Sequence, residues 1–318
     1  MVKSIHRVSV IVDEIIDAEA GVRLYRLKDE GDWELPPFTA GAHVDVHLPS
    51  GSIRQYSLCG NPANEYSYEI AVKRDANGRG GSIELHDTVV VGQELLLSLP
   101  RNTFPIGTDH PVVIIAGGIG ITPFLSALPA LKQSDHPFHL HYSTRADSEK
   151  STFSTLLRQQ LDTANYSIHR SGNGGRLNIT ALLDGLDEHT HVYCCGPEAM
   201  LEAVQSREAQ LAERLHIEHF HGNPATETAY RVHLKQSDRT IDVSAGQTML
   251  QALRMAGIDL PSSCEAGICL ECKCRWLAGN PVHRELAMPK ADRAEWLSPC
   301  VSGCADAGTD GSVITLDL

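Results

Sequence analysis

Four cysteines near the end of the chain have the spacing of iron–sulfur ligands. Cys264, Cys269 and Cys272 are separated by four and then two residues, and Cys300 follows on a later segment. This is the plant-type spacing for a 2Fe-2S cluster, whose irons need deprotonated, soft sulfur ligands. Gly267 gives the loop the backbone freedom to wrap a small cage. The sequence therefore predicts a 2Fe-2S cluster held by these four thiolates.

Zinc is the alternative occupant, because tetrahedral zinc also binds four thiolates. Zinc ribbons usually present a pair of Cys-x-x-Cys units, and only Cys269 and Cys272 form one here. The spacing thus favours the cluster over zinc and over a set of disulfides. Leu270 stands where the plant-type loop usually carries glycine, so the hydrogen bonds to the cluster sulfurs, and with them the potential, are expected to differ. Cys274 and Cys304 are expected to be free thiols.

A second candidate site lies on a predicted strand in the first third of the chain. Arg54, Tyr56 and Ser57 follow one another along this strand. Strand alternation places Arg54 and Tyr56 on one face, which suits a ligand with an anionic tail and a flat ring. The alternative is an exposed strand with an outward arginine and a core tyrosine.

A glycine-rich stretch after the next predicted strand is suited to a phosphate. It runs from Gly78 through Arg79, Gly80 and Gly81 to Ser82. Successive glycines expose backbone N–H groups that can form an anion-binding nest, Arg79 adds charge, and Ser82 adds a hydroxyl at a helix start. A flexible hairpin loop is the alternative. The stretch and the Arg54 strand reinforce each other, because one flavin mononucleotide would need both.

A dinucleotide site is predicted where a buried strand ends in glycines. The apolar run 111–116 indicates a parallel strand, and Gly117, Gly118 and Gly120 follow it. Glycines there allow a tight turn and close approach to a pyrophosphate, while Thr122 as N-cap and the proline after it open a helix. The spacing is not the usual G-x-G-x-x-G.

Two later strand ends are expected to complete this site. Ser143, Thr144 and Arg145 end one predicted strand and are expected to meet the adenosine half of the dinucleotide, with a surface loop as the alternative. Cys195 ends the last predicted strand, where a thiol can pack against a nicotinamide without reacting; a plain core cysteine is the alternative. Cys59 and Cys194 are expected in the core.

The elements that must position these residues suggest three domains. Residues 1–107 contain short β-branched runs separated by Gly, Pro and Asn, which predict an antiparallel, closed β-barrel. Residues 108–222 alternate strands and helices, which predicts an open α/β nucleotide-binding domain. After a polar linker, residues 230–318 predict a small ferredoxin-like α+β unit of the β-grasp type, with Leu250, Leu253 and Met255 of one helix available for its core.

Composition narrows the function classes. The 318 residues are 42% hydrophobic and 21% charged, as in ordinary globular proteins, and the net charge of -13 argues against a nucleic-acid partner. No apolar run approaches the roughly 18 residues of a membrane span. No secretory signal is visible, and nine cysteines with cluster spacing suit a reducing cytoplasm.

Taken in order along the chain, these motifs resemble those of the phthalate dioxygenase reductase family, the reductase components of Rieske non-haem iron oxygenases. The shared motifs are Arg54-x-Tyr56-Ser57, Gly78 to Ser82, Gly117 to Pro123, Cys195-Gly-Pro197 and the cluster loop. The C-terminal ferredoxin position separates this family from relatives that carry the cluster at the N-terminus and bind FAD. The resemblance implies FMN, NADH and a 2Fe-2S cluster as cofactors, a monomeric state, and a Rieske-type oxygenase as partner in a demethylation or hydroxylation system.

The resemblance also implies which residues hold the cofactors. They are Arg54, Tyr56 and Ser57 at the flavin ring and ribityl phosphate; Ala71, Val72 and Lys73 along the ring edge; Arg79, Gly80, Gly81 and Ser82 around the phosphate; Gly118, Ile119, Gly120 and Thr122 under the dinucleotide; Cys195 near the nicotinamide; and Phe220 stacked by the flavin.

The expected activity is hydride transfer from NADH to the flavin, followed by single-electron transfer through the cluster to an external acceptor. A flavin is needed because hydride delivers electrons in pairs, whereas the cluster accepts one at a time. No acid–base residue or nucleophile is required, so none is predicted. The alternatives are an FAD-containing reductase of a diiron oxygenase, a cluster-based redox sensor without turnover, and a zinc-stabilised binding module. NADH is favoured over NADPH because no evident group of cations follows Tyr142.

Overall fold

The protein is described from a computed structural model. The described residues are 7–76, 78, 80–145, 152–171, 175–220, 228–262, 265, 267–285, 287–308 and 312–318. They form two compact units, Met1–Phe220 and His221–Leu318. Two residues of the predicted sites, Arg79 and Cys264, lie outside the described residues. Within the described ranges, no helix combines the length and apolarity that crossing a membrane requires.

The first part of the first unit is an antiparallel barrel, as predicted. Its elements are β1 (Arg7–Glu19), β2 (Val22–Lys28), β3 (His43–His47), β4 (Ile53–Ser57), β5 (Ser67–Lys73), α1 (Gly81–Thr88) and β6 (Glu94–Ser98). The strand order is β4-β3-β6-β1-β2-β5, and the two end strands meet through a bridge between Leu58 and Ile70. A hydrogen bond from the Cys59 N–H to the Glu69 carbonyl (2.8 Å) extends this contact. The sheet therefore closes around the apolar side chains that alternate inward along each strand.

Helix α1 is attached to the barrel by hydrogen bonds to its carbonyl groups. The hydroxyl of Tyr25, a fully buried residue of β2, donates to the carbonyl of Leu85 at 2.8 Å. Arg23, on the same strand, donates to the carbonyl of His86 at 2.5 Å. Because α1 follows directly on the glycine-rich stretch, these contacts fix the position of that stretch against the sheet.

The second part of the first unit is a parallel sheet with helices, which confirms the predicted open α/β architecture. Its elements are β7 (Val112–Gly117), α2 (Thr122–Leu125), α3 (Leu128–Gln133), β8 (Phe138–Arg145), α4 (Thr152–Gln160), β9 (Tyr166–Ser171), α5 (Ile179–Asp184), β10 (His191–Cys195), α6 (Glu198–Gln205), α7 (Glu208–Leu211) and β11 (Leu215–Glu218). The order is β11-β10-β7-β8-β9, and every neighbouring pair is parallel. Strand β7 is central and buried along its whole length, which explains its unbroken apolar sequence.

Two strands of this sheet were not predicted, and β10 is not the last one. Strand β9 has the sequence YSIHRS and β11 has the sequence LHIE. Both lie at the edges of the sheet, and all their residues are only half-buried. An edge strand needs no continuous apolar run, so the feature that identified β7 is missing from both.

The described residues of the second unit form a mixed sheet and one α-helix. Its elements are β12 (Tyr230–Leu234), β13 (Arg239–Val243), α8 (Met249–Met255), β14 (Cys274–Ala278), β15 (Pro281–Val282), β16 (Trp296–Leu297), β17 (Gly303–Cys304) and β18 (Val313–Leu316). The main sheet has the order β13-β12-β18-β14-β16, in which only β12 and β18 are parallel, and β15 pairs with β17. The predicted α+β unit and its helix are confirmed.

Helix α8 begins with a capping box and turns a different face inward than predicted. Thr248 accepts a hydrogen bond from the N–H of Gln251, whose side chain accepts one from the N–H of Thr248. Leu250 and Leu253 are buried as predicted, but Met255 is 82% exposed. The helical period places Met249 and Ala252 on the buried face instead, and leaves Met255 on the opposite side.

The attachment of α1 can be tested by removing one hydroxyl. Tyr25→Phe leaves the buried Leu85 carbonyl without its donor, which is expected to cost about 1–3 kcal/mol of stability. Tyr66→Phe is the matched control, because Tyr66 is 54% exposed and its hydroxyl donates only to the carboxylate of Glu34. Urea unfolding of the three proteins measures the difference. Equal midpoints for Tyr25→Phe and Tyr66→Phe would contradict the assignment.

Candidate flavin, nucleotide and iron–sulfur sites

The structure brings together the two stretches predicted to bind one flavin. A Cβ atom added to Gly81 would lie 2.5 Å from Cγ and 2.6 Å from Nε of Arg54, so the arginine side chain crosses the N-terminus of α1. A helix N-terminus carries a partial positive charge, and a guanidinium beside it is unfavourable unless an anion lies between them. The geometry therefore fits a phosphate at this point of the barrel.

The other predicted flavin residues surround this point on β4, β5 and the start of α1. The hydroxyl of Ser82 accepts a hydrogen bond from the N–H of Asp75 at 3.0 Å, which joins the two ends of the glycine-rich stretch. Gly80 precedes the helix with a φ of 82°, a conformation that glycine adopts without strain. The remaining residues are Ser57, Ala71 and Val72, which are buried; Tyr56, which is half-buried; and Lys73, which is exposed. Their contacts with a flavin stay predictions.

The predicted dinucleotide residues lie where β7 and β10 end side by side. A Cβ atom on Gly120 would lie 2.4 Å from the carbonyl oxygen of Cys195, so only glycine lets the two strand ends approach this closely. Gly118 has a φ of +55° and begins a 3₁₀ turn with Ile119. The ends of neighbouring parallel strands are the usual place for a nucleotide in an open α/β sheet.

Thr122 has a different role from the predicted N-cap. It is the first residue of α2, after the 3₁₀ turn, and Ile121 occupies the N-cap position. The Thr122 hydroxyl donates to the carbonyl of Ile119 at 3.0 Å, which secures the turn itself. The proline that follows is in the first turn, as predicted.

The predicted adenosine residues share this edge of the sheet. Ser143 of β8 is the register partner of Gly117 of β7, and Thr144 and Arg145 end β8 one and two residues later. Ser143 is half-buried, Thr144 is buried and Arg145 is exposed. Their contact with the adenosine half of a nucleotide stays a prediction.

Cys195 is fully buried, and burial raises the pKa of its thiol well above the ordinary value. The thiol is therefore neutral and is not an activated nucleophile, in agreement with a chemistry that needs none. It belongs to a core cluster against which the half-buried Phe220 also packs. Cys59 and Cys194 are buried in the core, as predicted.

Glu218 is a candidate site residue that the sequence did not reveal. It ends β11 and is the register partner of Cys195. Its Oε2 is enclosed and has no hydrogen-bond partner among the described residues, and burial raises the pKa of the carboxyl to about 8. At neutral pH the group holds its proton and can donate a hydrogen bond beside the β10 strand end. A short edge strand gave no sign that its last residue is enclosed.

The described cysteines of the predicted cluster lie on two loops that pack together. Cys272 and Cys300 are both buried and share one small apolar cluster with Leu250 and Val301, while Cys269 is half-buried. A Cβ atom on Gly267 would lie 2.7 Å from Cγ2 of Val301, so the loop before Cys272 contacts the turn that carries Cys300. Thiolates from two segments are the donor set that a 2Fe-2S cluster requires, and the packing of Cys272 against Cys300 brings these two segments together as that set needs.

Leu270 has a φ of 58°, the left-handed region that glycine normally occupies. The chain therefore keeps the backbone path of a glycine at this position while carrying an apolar side chain, at a cost of roughly 1–2 kcal/mol. The predicted difference in hydrogen bonding to the sulfurs stays a prediction. Cys274 and Cys304 are free and buried, and burial raises the pKa of both thiols, that of Cys274 to about 12.

A methyl group at Gly81 should weaken flavin binding. Gly81→Ala displaces the Arg54 side chain from the α1 N-terminus, and losing one charge-assisted hydrogen bond of about 1.5–3 kcal/mol weakens flavin affinity roughly ten- to a hundredfold. Gly185→Ala is the matched control, because the atoms nearest to its Cβ are 3.6 Å away. Flavin affinity is measured by fluorescence titration of the deflavinated protein. An unchanged affinity in Gly81→Ala would contradict the placement of the phosphate.

Glu218 should make the first unit less stable as the pH rises. Because its folded-state pKa lies above the unfolded value, the folded protein holds a proton that the unfolded chain has released, so stability falls by about 1.4 kcal/mol per pH unit from about pH 4.5 to about pH 8. Glu218→Gln removes this loss. Urea unfolding across this range should show that the free energy of unfolding of Glu218→Gln, relative to that of the wild type, increases with pH. Parallel profiles would mean that the carboxyl is ionised when folded.

Comparison with known proteins identifies the class of both units. Residues 114–206 match the oxidoreductase NAD-binding domain, and residues 232–304 match the 2Fe-2S iron-sulfur cluster binding domain. The beta subunit of a heme-dependent oxidative N-demethylase from Ectopseudomonas mendocina is 39% identical over 290 residues, which are 89% of this chain and 90% of the relative. Phthalate dioxygenase reductase from Burkholderia cepacia is 35% identical over 291 residues, again 89% and 90% of the two chains.

A solved structure of phthalate dioxygenase reductase, described as modular and as transferring electrons from pyridine nucleotides to 2Fe-2S, covers 98% of both chains with a TM-score of 0.82 and 32% identity. The likeness thus extends over the barrel, the parallel sheet and the ferredoxin fold, and it confirms the fold class and the family resemblance of the motifs. This chain belongs to the phthalate dioxygenase reductase family, the NAD-dependent flavin iron–sulfur oxidoreductases that supply electrons to oxygenases.

Proposed function

We propose that this chain takes electrons from NADH and passes them through FMN and its 2Fe-2S cluster to a Rieske-type oxygenase. The observation that carries the proposal is Arg54 lying across the N-terminus of α1, which provides a site for the flavin phosphate in a chain that also has a nucleotide-binding sheet and a cluster domain. The flavin supplies the conversion of a hydride pair into single electrons. The sensor alternative is disfavoured, because the relatives are reductase components of oxygenases. The FAD-containing alternative is disfavoured, because the match to phthalate dioxygenase reductase covers 98% of both chains, including the C-terminal ferredoxin fold.

In this proposal the chain's residues bind and orient the cofactors and take no part in bond making. The N–H groups from Gly80 onward and Arg54 hold the phosphate, and Arg79 adds a charge to it. The turn after β7 holds the pyrophosphate, and the neutral Cys195 and Glu218 leave the nicotinamide end without a nearby charge of their own. Cys264, Cys269, Cys272 and Cys300 bind the cluster. The proposed domains are residues 1–107, 108–222 and 230–318.

The oxygenase partner has a second candidate. The relatives serve oxygenases of more than one kind, and the N-demethylase relative is named as heme-dependent, so a haem-containing oxygenase is the alternative to a Rieske partner. We further propose a monomer working in the cytoplasm. Five free buried cysteines outside the cluster set, at positions 59, 194, 195, 274 and 304, support a reducing compartment.

An anaerobic titration with NADH tests the electron path. We expect the flavin absorbance to bleach, a rhombic EPR signal of a reduced 2Fe-2S cluster to appear at low temperature, and acid extraction to release FMN. NADPH run in parallel checks the choice of nucleotide. Bleaching without the EPR signal would contradict the cluster assignment, and release of FAD would contradict the flavin assignment. Mixing the reduced protein with Rieske and with haem oxygenases, and following reoxidation, distinguishes the two partners.

A further inference from the structure

A buried carboxylate holds the turn that carries Cys300. The Glu285 residue is 2% exposed, and its side chain is fully enclosed. Its Oε1 accepts hydrogen bonds from the N–H of Ser298, at 2.7 Å, and from the hydroxyl of Ser302. These donors lie two residues before and two residues after Cys300. One carboxylate oxygen therefore ties both ends of the turn together.

The same turn is also held by hydrogen bonds of its own and by one to α8. The N–H groups of Val301 and Ser302 donate to the carbonyl of Ser298, at 3.0 and 2.9 Å, and the Ser302 hydroxyl lies 3.2 Å from the Ser298 N–H. These bonds close the turn internally. The bond from the N–H of Leu250 to the carbonyl of Pro299 (2.9 Å) connects it to α8. The two donors to Glu285, together with Arg284, which donates to the carbonyl of Val301, connect the turn to the segment that precedes it by some fifteen residues.

The backbone of Glu285 contacts the first cluster loop as well. A Cβ atom on Gly267 would lie 3.2 Å from Cα of Glu285, and the N–H of Ala287 donates to the Gly267 carbonyl at 3.4 Å. Arg293 donates to the Glu285 carbonyl at 2.8 Å, which fixes the segment from the other side. Glu285 thus lies between the loop that carries Cys269 and Cys272 and the turn that carries Cys300.

One oxygen of this carboxylate has no hydrogen bond among the described residues, and basic side chains lie near it. Oε2 lies 3.3 Å from Nδ1 of His283, and neither atom has a hydrogen-bond partner in the part of the chain that the structure describes. Arg284 donates to the carbonyl of Val301 at 3.2 Å and is the cation that faces the same turn. A fully enclosed carboxylate is screened much less by water than an exposed one, so its charge acts strongly on its neighbours.

We propose that Glu285 is the positioning residue for Cys300, and that its enclosed charge keeps the reduction potential of the cluster low. The proposal rests on the cluster assigned under the proposed function. Reduction adds a negative charge to the cluster, and a nearby carboxylate disfavours that step. The two roles of Glu285 can be tested separately. A glutamine at this position keeps an oxygen that can accept both hydrogen bonds, but its side chain is uncharged.

The test compares cluster potential and cluster retention in matched variants. Glu285→Gln should retain iron and sulfide and raise the midpoint reduction potential of the cluster, followed by its EPR signal. We expect the equilibrium constant of the one-electron reduction to rise about tenfold, which corresponds to ~59 mV. Glu271→Gln is the control: it makes the same change at an exposed carboxylate between Cys269 and Cys272, and should shift the midpoint much less. Glu285→Ala and Ser302→Ala should release iron to a chelator faster than the wild type, and Ser302→Ala should show no upward shift.

Two results would overturn the proposal. One is a midpoint for Glu285→Gln equal to that of the wild type or of Glu271→Gln, and the other is unchanged iron release in both Glu285→Ala and Ser302→Ala. If Glu285→Gln does not fold, Ser302→Ala still tests the positioning, since it keeps the carboxylate. A wild-type protein without a 2Fe-2S signal would instead refute the proposed function, so the two failures are distinguishable.

Discussion

Close contact between two chain segments at a glycine is the constraint on which each candidate site depends. Arg54 occupies the space that a Cβ of Gly81 would need, and the carbonyl of Cys195 occupies the space of a Cβ on Gly120. In the second unit, Val301 fills the corresponding space beside Gly267. In each case a glycine joins a sequence motif to a distant residue of the same site. The absence of a side chain at each glycine is what lets the second segment come this close.

Burial acts differently on the ionisable groups at these sites. Among the described residues, no hydrogen-bond donor or cation favours the charged forms of Cys195 and Glu218, and burial raises the pKa of both groups. Glu285 is more completely enclosed than Glu218, and the N–H of Ser298 and the hydroxyl of Ser302 donate to it. In the proposed function the nicotinamide end of the first unit is thus uncharged, whereas a hydrogen-bonded acid lies between the loops of the predicted cluster.

Periodicity and spacing predicted the features that repeat along the chain. Alternating strands predicted the barrel, the apolar run of β7 predicted a buried parallel strand, and cysteine spacing predicted the cluster. Features decided by tertiary contact were not predictable: the edge strands β9 and β11, the N-cap of α2, and the exposure of Met255. Glu218 belongs with them, because its enclosure comes from neighbouring segments and not from its own sequence. Arg79 and Cys264 stay predictions, since they lie outside the described residues.

The charges at the two ends of the electron path have opposite signs, and this suits their different tasks. At the proposed flavin site, Arg54 and the α1 N-terminus are positive, and we propose that they hold the phosphate at the tail of the cofactor, where this charge anchors the flavin without acting directly on its ring. At the cluster, the Glu285 carboxylate lies between the ligand loops themselves and acts on the redox centre. A negative charge there makes the reduced cluster a stronger electron donor. More of the free energy of NADH oxidation therefore remains available for electron transfer to the oxygenase. The second unit as a whole need not be strongly acidic for this, and from Ala229 onward it has 9 basic and 11 acidic residues. One enclosed carboxylate next to the ligands therefore outweighs many exposed ones, because water and salt screen the charges at the surface.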